Sequence, residues 1–197
     1  MLTVTAASGF GGKAPGQIVT IPTSDFWNGS QLSSFTIGTG TINRNTTNND
    51  QRRWVYSDPF GGDYNVDLVL NAWAGHGDQA MVGWFRSSDL ASFDDDENYA
   101  RPMRVANSQG FITKDGQSAC LLNENATDQS ADTTQADDLK ITFRRVGSVI
   151  TVRINDSLHD TSALTNTADI RLMYGAYNHA NDGGGIDGIV ITSDTVG

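Results

Sequence analysis

Strict alternation of apolar and polar residues in two stretches, 64–73 and 139–155, constrains this chain more than any other feature. In the first, Tyr64, Val66, Leu68, Leu70 and Ala72 fall on one side, and Asn65, Asp67, Val69, Asn71 and Trp73 on the other. In the second, Leu139, Ile141 and Phe143 alternate with Lys140, Thr142 and Arg144. After Gly147-Ser148, the residues Ile150, Val152 and Ile154 alternate with Thr151 and Arg153. A period of two belongs to strands, because successive Cβ atoms point to opposite faces of a sheet. Gly-Ser between two such runs predicts a tight hairpin. Gly75-His76-Gly77-Asp78 predicts another turn, with Ala80–Arg86 running back as the hairpin partner of Tyr64–Trp73. Shorter strands are predicted at Leu2–Ala6, Gln17–Ile21, Ser34–Ile37, Arg52–Tyr56, Tyr99–Val105, Gly110–Thr113, Ser118–Leu122, Ile170–Asn178 and Ile186–Thr192. The polar stretch Asn43–Asp50 reads as a loop. Many short strands without a sustained helical period indicate an all-β sandwich or barrel.

The acidic residues agree with this. Glu97 and Glu124 are the only glutamates among 23 acids, and aspartate favours turns where glutamate favours helices. The length of 197 residues suits one domain, since no linker-like run divides it. Residues 1–24 read as a glycine-rich arm suited to packing on a neighbouring subunit, and 25–197 as the sandwich. The net charge of −10 opposes non-specific contact with nucleic acid or anionic membranes. Cys120 is the only cysteine, so no internal disulfide forms, and between Ala119 and Leu121 it reads as a small core residue. Met1-Leu2-Thr3-Val4-Thr5 lacks a basic start and an apolar stretch, which leads to the expectation of synthesis in the cytoplasm without a signal peptide.

The stretch from Asp138 to Asp156 resembles the late hairpin of concanavalin A-like (laminin G-like) jelly rolls. So does Leu172-Met-Tyr-Gly-Ala-Tyr-Asn178 followed by Gly185-Ile-Asp-Gly-Ile-Val-Ile191. Tyr64–Arg86, with glycine inside Met81-Val-Gly-Trp-Phe85, fits the same pattern. The resemblance spans roughly residues 60–193 and implies an antiparallel two-sheet jelly-roll sandwich. Such domains occur in lectins, glycanases, adhesion proteins and bacteriophage virion proteins.

A glycanase of this fold is expected to carry Glu-x-Asp-x-x-Glu, which sets a nucleophile and an acid on one face of a strand. Glu97 is followed by Asn98-Tyr99 and Glu124 by Asn125-Ala126, so neither matches. The histidines His76, His159 and His179 lack zinc-ligand spacing. Asp94, Asp95, Asp96 and Glu97 form a candidate calcium loop of hard oxygen donors, or else a solvated acidic turn; no other cofactor is expected. Aromatics carry the glycan reading, because sugar C–H faces stack on Trp and Tyr while Asn and Arg bond hydroxyls. The candidates are Asn71 with Trp73, Trp84 with Arg86, and Tyr177 with His179, provided their strands lie side by side. The plainer alternative is that Trp84 is core and Trp73 caps an edge. Trp27 and Trp54 read as core or interface anchors.

From these readings the sequence leads to the expectation of a non-catalytic virion structural protein of a bacteriophage. It would be a capsid decoration or a tail- or fibre-associated subunit, forming a homo-oligomer with other virion subunits and touching host-surface glycans. The alternatives are a stand-alone extracellular carbohydrate-binding module or lectin and, third, a glycan-cleaving enzyme.

Overall fold

The computed structural model describes residues 2–4, 17–45, 52–70, 80–92, 108–114, 117–124, 127–134, 139–162, 168–177 and 185–196. Sixteen strands carry the fold. The first eight are β1 (Leu2–Val4), β2 (Ile18–Ile21), β3 (Trp27–Asn28), β4 (Phe35–Gly38), β5 (Thr41–Arg44), β6 (Arg52–Ser57), β7 (Phe60–Leu70) and β8 (Ala80–Arg86). The rest are β9 (Ser108–Lys114), β10 (Gln117–Glu124), β11 (Thr127–Thr134), β12 (Leu139–Val146), β13 (Val149–Ile154), β14 (Ser157–Ser162), β15 (Ile170–Tyr177) and β16 (Gly185–Val196).

All pairings are antiparallel, and they make two layers. One runs β14-β13-β12-β7-β16-β2-β1, with β5 and β4 attached to the start of β16. The other runs β3-β6-β15-β8-β9-β10-β11. A single pairing of Ile170 with Phe60 joins them at one corner. This is the concanavalin A-like jelly-roll sandwich that the resemblance implies.

Period two places the core. From the first layer Tyr64, Val66, Leu68, Leu70, Ile141, Phe143, Ile150, Val152, Ile189 and Ile191 point inward. Val55, Val82, Trp84, Ile170, Leu172 and Tyr174 meet them from the second. Each side chain of this kind gains roughly 1.5–3 kcal/mol on leaving water. Arg145 follows Ile141 and Phe143 by parity and is also drawn inside, 1% exposed. Its guanidinium donates to the carbonyls of Gly62 and Ala168 and lies 4.8 Å from the centre of the Tyr64 ring. Burial pushes the Tyr64 hydroxyl well above the ordinary phenol range, outweighing the opposing pull of the Arg145 charge.

The hairpin predicted at Gly147-Ser148 is present: Val146 faces Val149, and Gly147 takes φ +60°, which suits a residue without Cβ. A second tight turn follows at Asn155-Asp156, both at positive φ, and returns the chain into β14. The predicted hairpin of Tyr64–Trp73 with Ala80–Arg86 is not formed. β7 pairs with β12 and β16, whereas β8 pairs with β15 and β9, in the opposite layer. Alternation marks both as strands with one buried face, and that condition is met equally well across the sandwich as beside each other. The N-terminal segment contributes directly to the first layer, because β2 pairs with β16 and β1 with β2. The strand predicted at Tyr99–Val105 lies outside the described residues.

Candidate functional site

Antiparallel partners share a face, so the register assigns each residue to the core or to an outer surface. On the second layer the core residues Leu172 and Trp84 face each other. Their neighbours Arg171, Met173, Gly175, Phe85 and Gly83 are therefore outward. Trp54 and Tyr56 join them from β6 through Gly175 and Met173.

This outer surface is closed around Trp54. Its ring lies flat against Gly175, where a Cβ would come within 1.9 Å of Trp54 Cε3. Trp54 is 3% exposed, and Phe85 and Met173 are fully buried, although none of the three belongs to the inter-sheet core. Its backbone N–H donates to Gln31 Oε1 at 2.9 Å, while its indole Nε1 is buried without a partner. Tyr56 meets Phe85 edge-on at 6.2 Å. Arg171 spans this patch, donating to Ser57 O at 2.8 Å and Ser87 Oγ at 3.2 Å, with its guanidinium 5.6 Å from the Tyr56 ring.

Farther across the same face the register continues. Phe85 faces Ser108, Ser108 faces Asn123, and Asn123 faces Asp128. Positions 128, 130 and 132 of β11 continue that register, pairing with 123, 121 and 119 of β10. Among the described residues β11 pairs only with β10 and ends the layer.

The first layer's outer face is polar. Asn65, Asp67, Lys140, Thr142, Arg144, Thr151 and Arg153 alternate with its core residues. Asp67 accepts from Thr142 Oγ1 at 2.6 Å and from Asn65 Nδ2 at 2.5 Å. Lys140 Nζ lies 2.6 Å from Asp156 Oδ1, and this hydrogen bond raises the lysine's pKa. At one end of the layer, Asp194 accepts from the Asp63 backbone N–H at 2.8 Å, and Asp63 accepts from that of Gly147 at 2.7 Å. These two carboxylates therefore tie turns together.

Of the glycan candidates, Trp84, Arg86 and Tyr177 fall among the described residues, on β8 and β15. β7 lies in the first layer, and β8 and β15 lie in the second. Trp84 is fully buried in the core, where it cannot stack on a sugar. Arg86 is 3.3 Å from Asp89 in an ion pair beside β8. Tyr177 stands opposite Arg52 at the end of β15. Asn71, Trp73 and His179 lie outside the described residues, as do Asp94, Asp95, Asp96 and Glu97. Among the described residues no group of three or more His, Cys, Asp or Glu side chains is placed to hold a metal. The reading of the sequence missed Asp128 and Asp132, because Thr127–Thr134 has no apolar alternation to mark it as a strand. It also missed the contact of Trp54 with Gly175, which only pairing of β6 with β15 creates.

No protein-family model matches the chain, and no curated protein does. Solved structures do. The chain is similar to SCLam, a non-specific endo-β-1,3(4)-glucanase from family GH16, with TM-score 0.62, 7% identity and coverage of 93% of this chain and 94% of that one. It is similar to a prokaryotic β-1,3-1,4-glucanase (lichenase) derived from a mouse hindgut metagenome, with TM-score 0.60, 7% identity and coverage of 90% and 99%. It is also similar to the Crh5 transglycosylase in complex with NAG, with TM-score 0.60, 12% identity and coverage of 92% and 85%. At these identities the likeness establishes the fold. The expectations of a virion subunit and of a non-catalytic chain are corrected to this extent: the matches named above are to glycan-cleaving or glycan-transferring enzymes and not to virion proteins. Absence of one acid motif does not exclude catalysis, because paired carboxylates come in more than one spacing.

Proposed function

We propose that this chain is an enzyme that cleaves or transfers β-linked glycans, working on the outer face of the layer that ends in β11. The observation that carries the reading is the end-to-end match of the sandwich to glucanases and a transglycosylase. The chemistry needs two carboxyl groups flanking one glycosidic bond, one protonating the leaving oxygen and the other activating water or attacking the sugar.

Asp128 and Asp132 fit that need. They share outward parity on one strand, about 13 Å apart between Cα atoms at the usual rise of a strand. That Cα spacing is wider than the carboxyl separation of either class, about 5–5.5 Å in retaining and about 6.5–9.5 Å in inverting hydrolases, and it lies nearer the inverting range. The lack of Glu-x-Asp-x-x-Glu agrees with an inverting route. The patch around Trp54 is closed by burial, which directs substrate toward the β10–β11 side of the face.

The test is release of reducing ends from mixed-linkage β-glucan and laminarin by the wild type, D128N and D132N. Each substitution should lower kcat about 10²–10⁴-fold, the usual share of a positioned acid or base, with KM little changed and thermal unfolding unaltered. Full activity in the D128N/D132N double variant would remove these residues from the chemistry. No cleavage or transfer by the wild type on either polymer would remove the enzyme reading.

A further inference from the structure

We infer that the exposed face of the β12–β13 hairpin is a docking surface for a polyanionic polysaccharide, separate from the catalytic face proposed above. In a chain of net charge −10, three cations gather there. Thr142 faces Arg153, and Lys140 and Arg144 sit two residues to either side of Thr142 on the same strand. Both are thus diagonal neighbours of Arg153, at about 7–8 Å between Cα atoms, where like charges repel. Asp156 offsets Lys140, and a bound anion relieves the repulsion left between Arg144 and Arg153.

The local acids Asp67 and Asp156 offset the cluster only in part, two carboxylates against three cations. Both oxygens of Asp67 are occupied by Thr142 and Asn65. Asp156 engages Lys140, and its backbone carbonyl accepts from Arg153 Nη1 at 2.9 Å, which steadies that guanidinium. Among the described residues Arg144 is exposed, and its side chain has no hydrogen-bond or ion-pair partner. Leu158 stands opposite Arg153 on β14 and is 57% exposed, an apolar surface beside the charges. Cations for sulfate or carboxylate groups next to an apolar contact for a sugar ring match a charged polysaccharide. A DNA duplex or an anionic membrane would instead meet the negative field of the whole chain.

The inference rests on the glycan-active reading but is measured separately, by binding without turnover. Affinity electrophoresis of the full chain in gels containing dextran sulfate, polygalacturonate or neutral dextran reads it directly. Dextran sulfate or polygalacturonate should retard the wild type and neutral dextran should not; the more retarding of the two identifies the anionic group. R144Q/R153Q should weaken retardation at least tenfold, and added salt should weaken it in the wild type more steeply than in the variant. Three results would each overturn the inference: equal retardation of wild type and variant, no retardation by either polyanion, or equal binding to a DNA duplex. Loss of polyanion retention with β-glucan cleavage intact would defeat only this inference. The reverse pattern would defeat only the enzyme reading.

Discussion

Outside β7 and β12 the side chains are mostly polar: Arg144 is exposed, Asn65 and Asp67 are half-buried, and the buried Thr142 bonds Asp67. Outside β6, β8 and β15 they are Trp54, Phe85 and Met173, each 3% exposed or less. The inner faces of the two layers are mainly apolar at every second position, with Arg145, Thr20 and Ser193 as buried exceptions. The outer faces carry the individuality of the protein. One is covered near Trp54 and ends in β11, where the catalytic proposal places Asp128 and Asp132. The other is a solvated sheet bearing the three cations that define the docking proposal.

The largest effect that probes this contrast comes from the core between the faces. Trp84→Ala should cost about 3–5 kcal/mol, read by urea unfolding, because Trp84 is fully buried. A loss below 1 kcal/mol would mean that the inner face is not packed as described. Gly175→Ala should cost about 1–3 kcal/mol through overpacking, and it should shift Trp54 fluorescence to the red as the ring lifts from the sheet. Gly147→Ala, in a turn with nothing within 4 Å of the added Cβ, should cost only the strain of its positive φ, about 1 kcal/mol. Equal stabilities and unchanged fluorescence in the two alanine variants would dissolve the distinction between a closed face and an open turn.

The smallest effect is electrostatic. The hydrogen bond to Asp156 raises the Lys140 pKa. Its contribution is therefore complete below the unfolded lysine pKa and is lost as pH rises through the higher folded value. With side chains 45% and 75% exposed, solvent screening limits the pair to about 0.5 kcal/mol or less. Lys140→Met should remove this alkaline loss and leave stability at neutral pH nearly unchanged. A drop above 1 kcal/mol at pH 7 would show that Lys140 does more than pair with Asp156.

The β12–β13 unit was fully legible in the sequence, because alternation and a Gly-Ser turn act within about twenty residues. The partner of β7 was not. Period two records that a strand has a buried face, and says nothing about which layer it joins, so β8 was assigned beside β7 when it lies across the core. β14 was missed because its turn is Asn155-Asp156, two residues that tolerate positive φ as glycine does. β11 was missed because Thr-Asp-Gln-Ser-Ala-Asp-Thr-Thr is almost wholly polar, and an edge strand can be so. The candidate site went with it: Asp128 and Asp132 share a face only once that segment is known to be extended.

Proton NMR of the anomeric region during β-glucan hydrolysis tests the central claim most directly. Two aspartates on one strand of the outer face predict that the first product formed has inverted configuration at the cleaved carbon, and that D128N and D132N each suppress it. A product that keeps the starting configuration, or none at all from folded wild-type protein, would contradict the account.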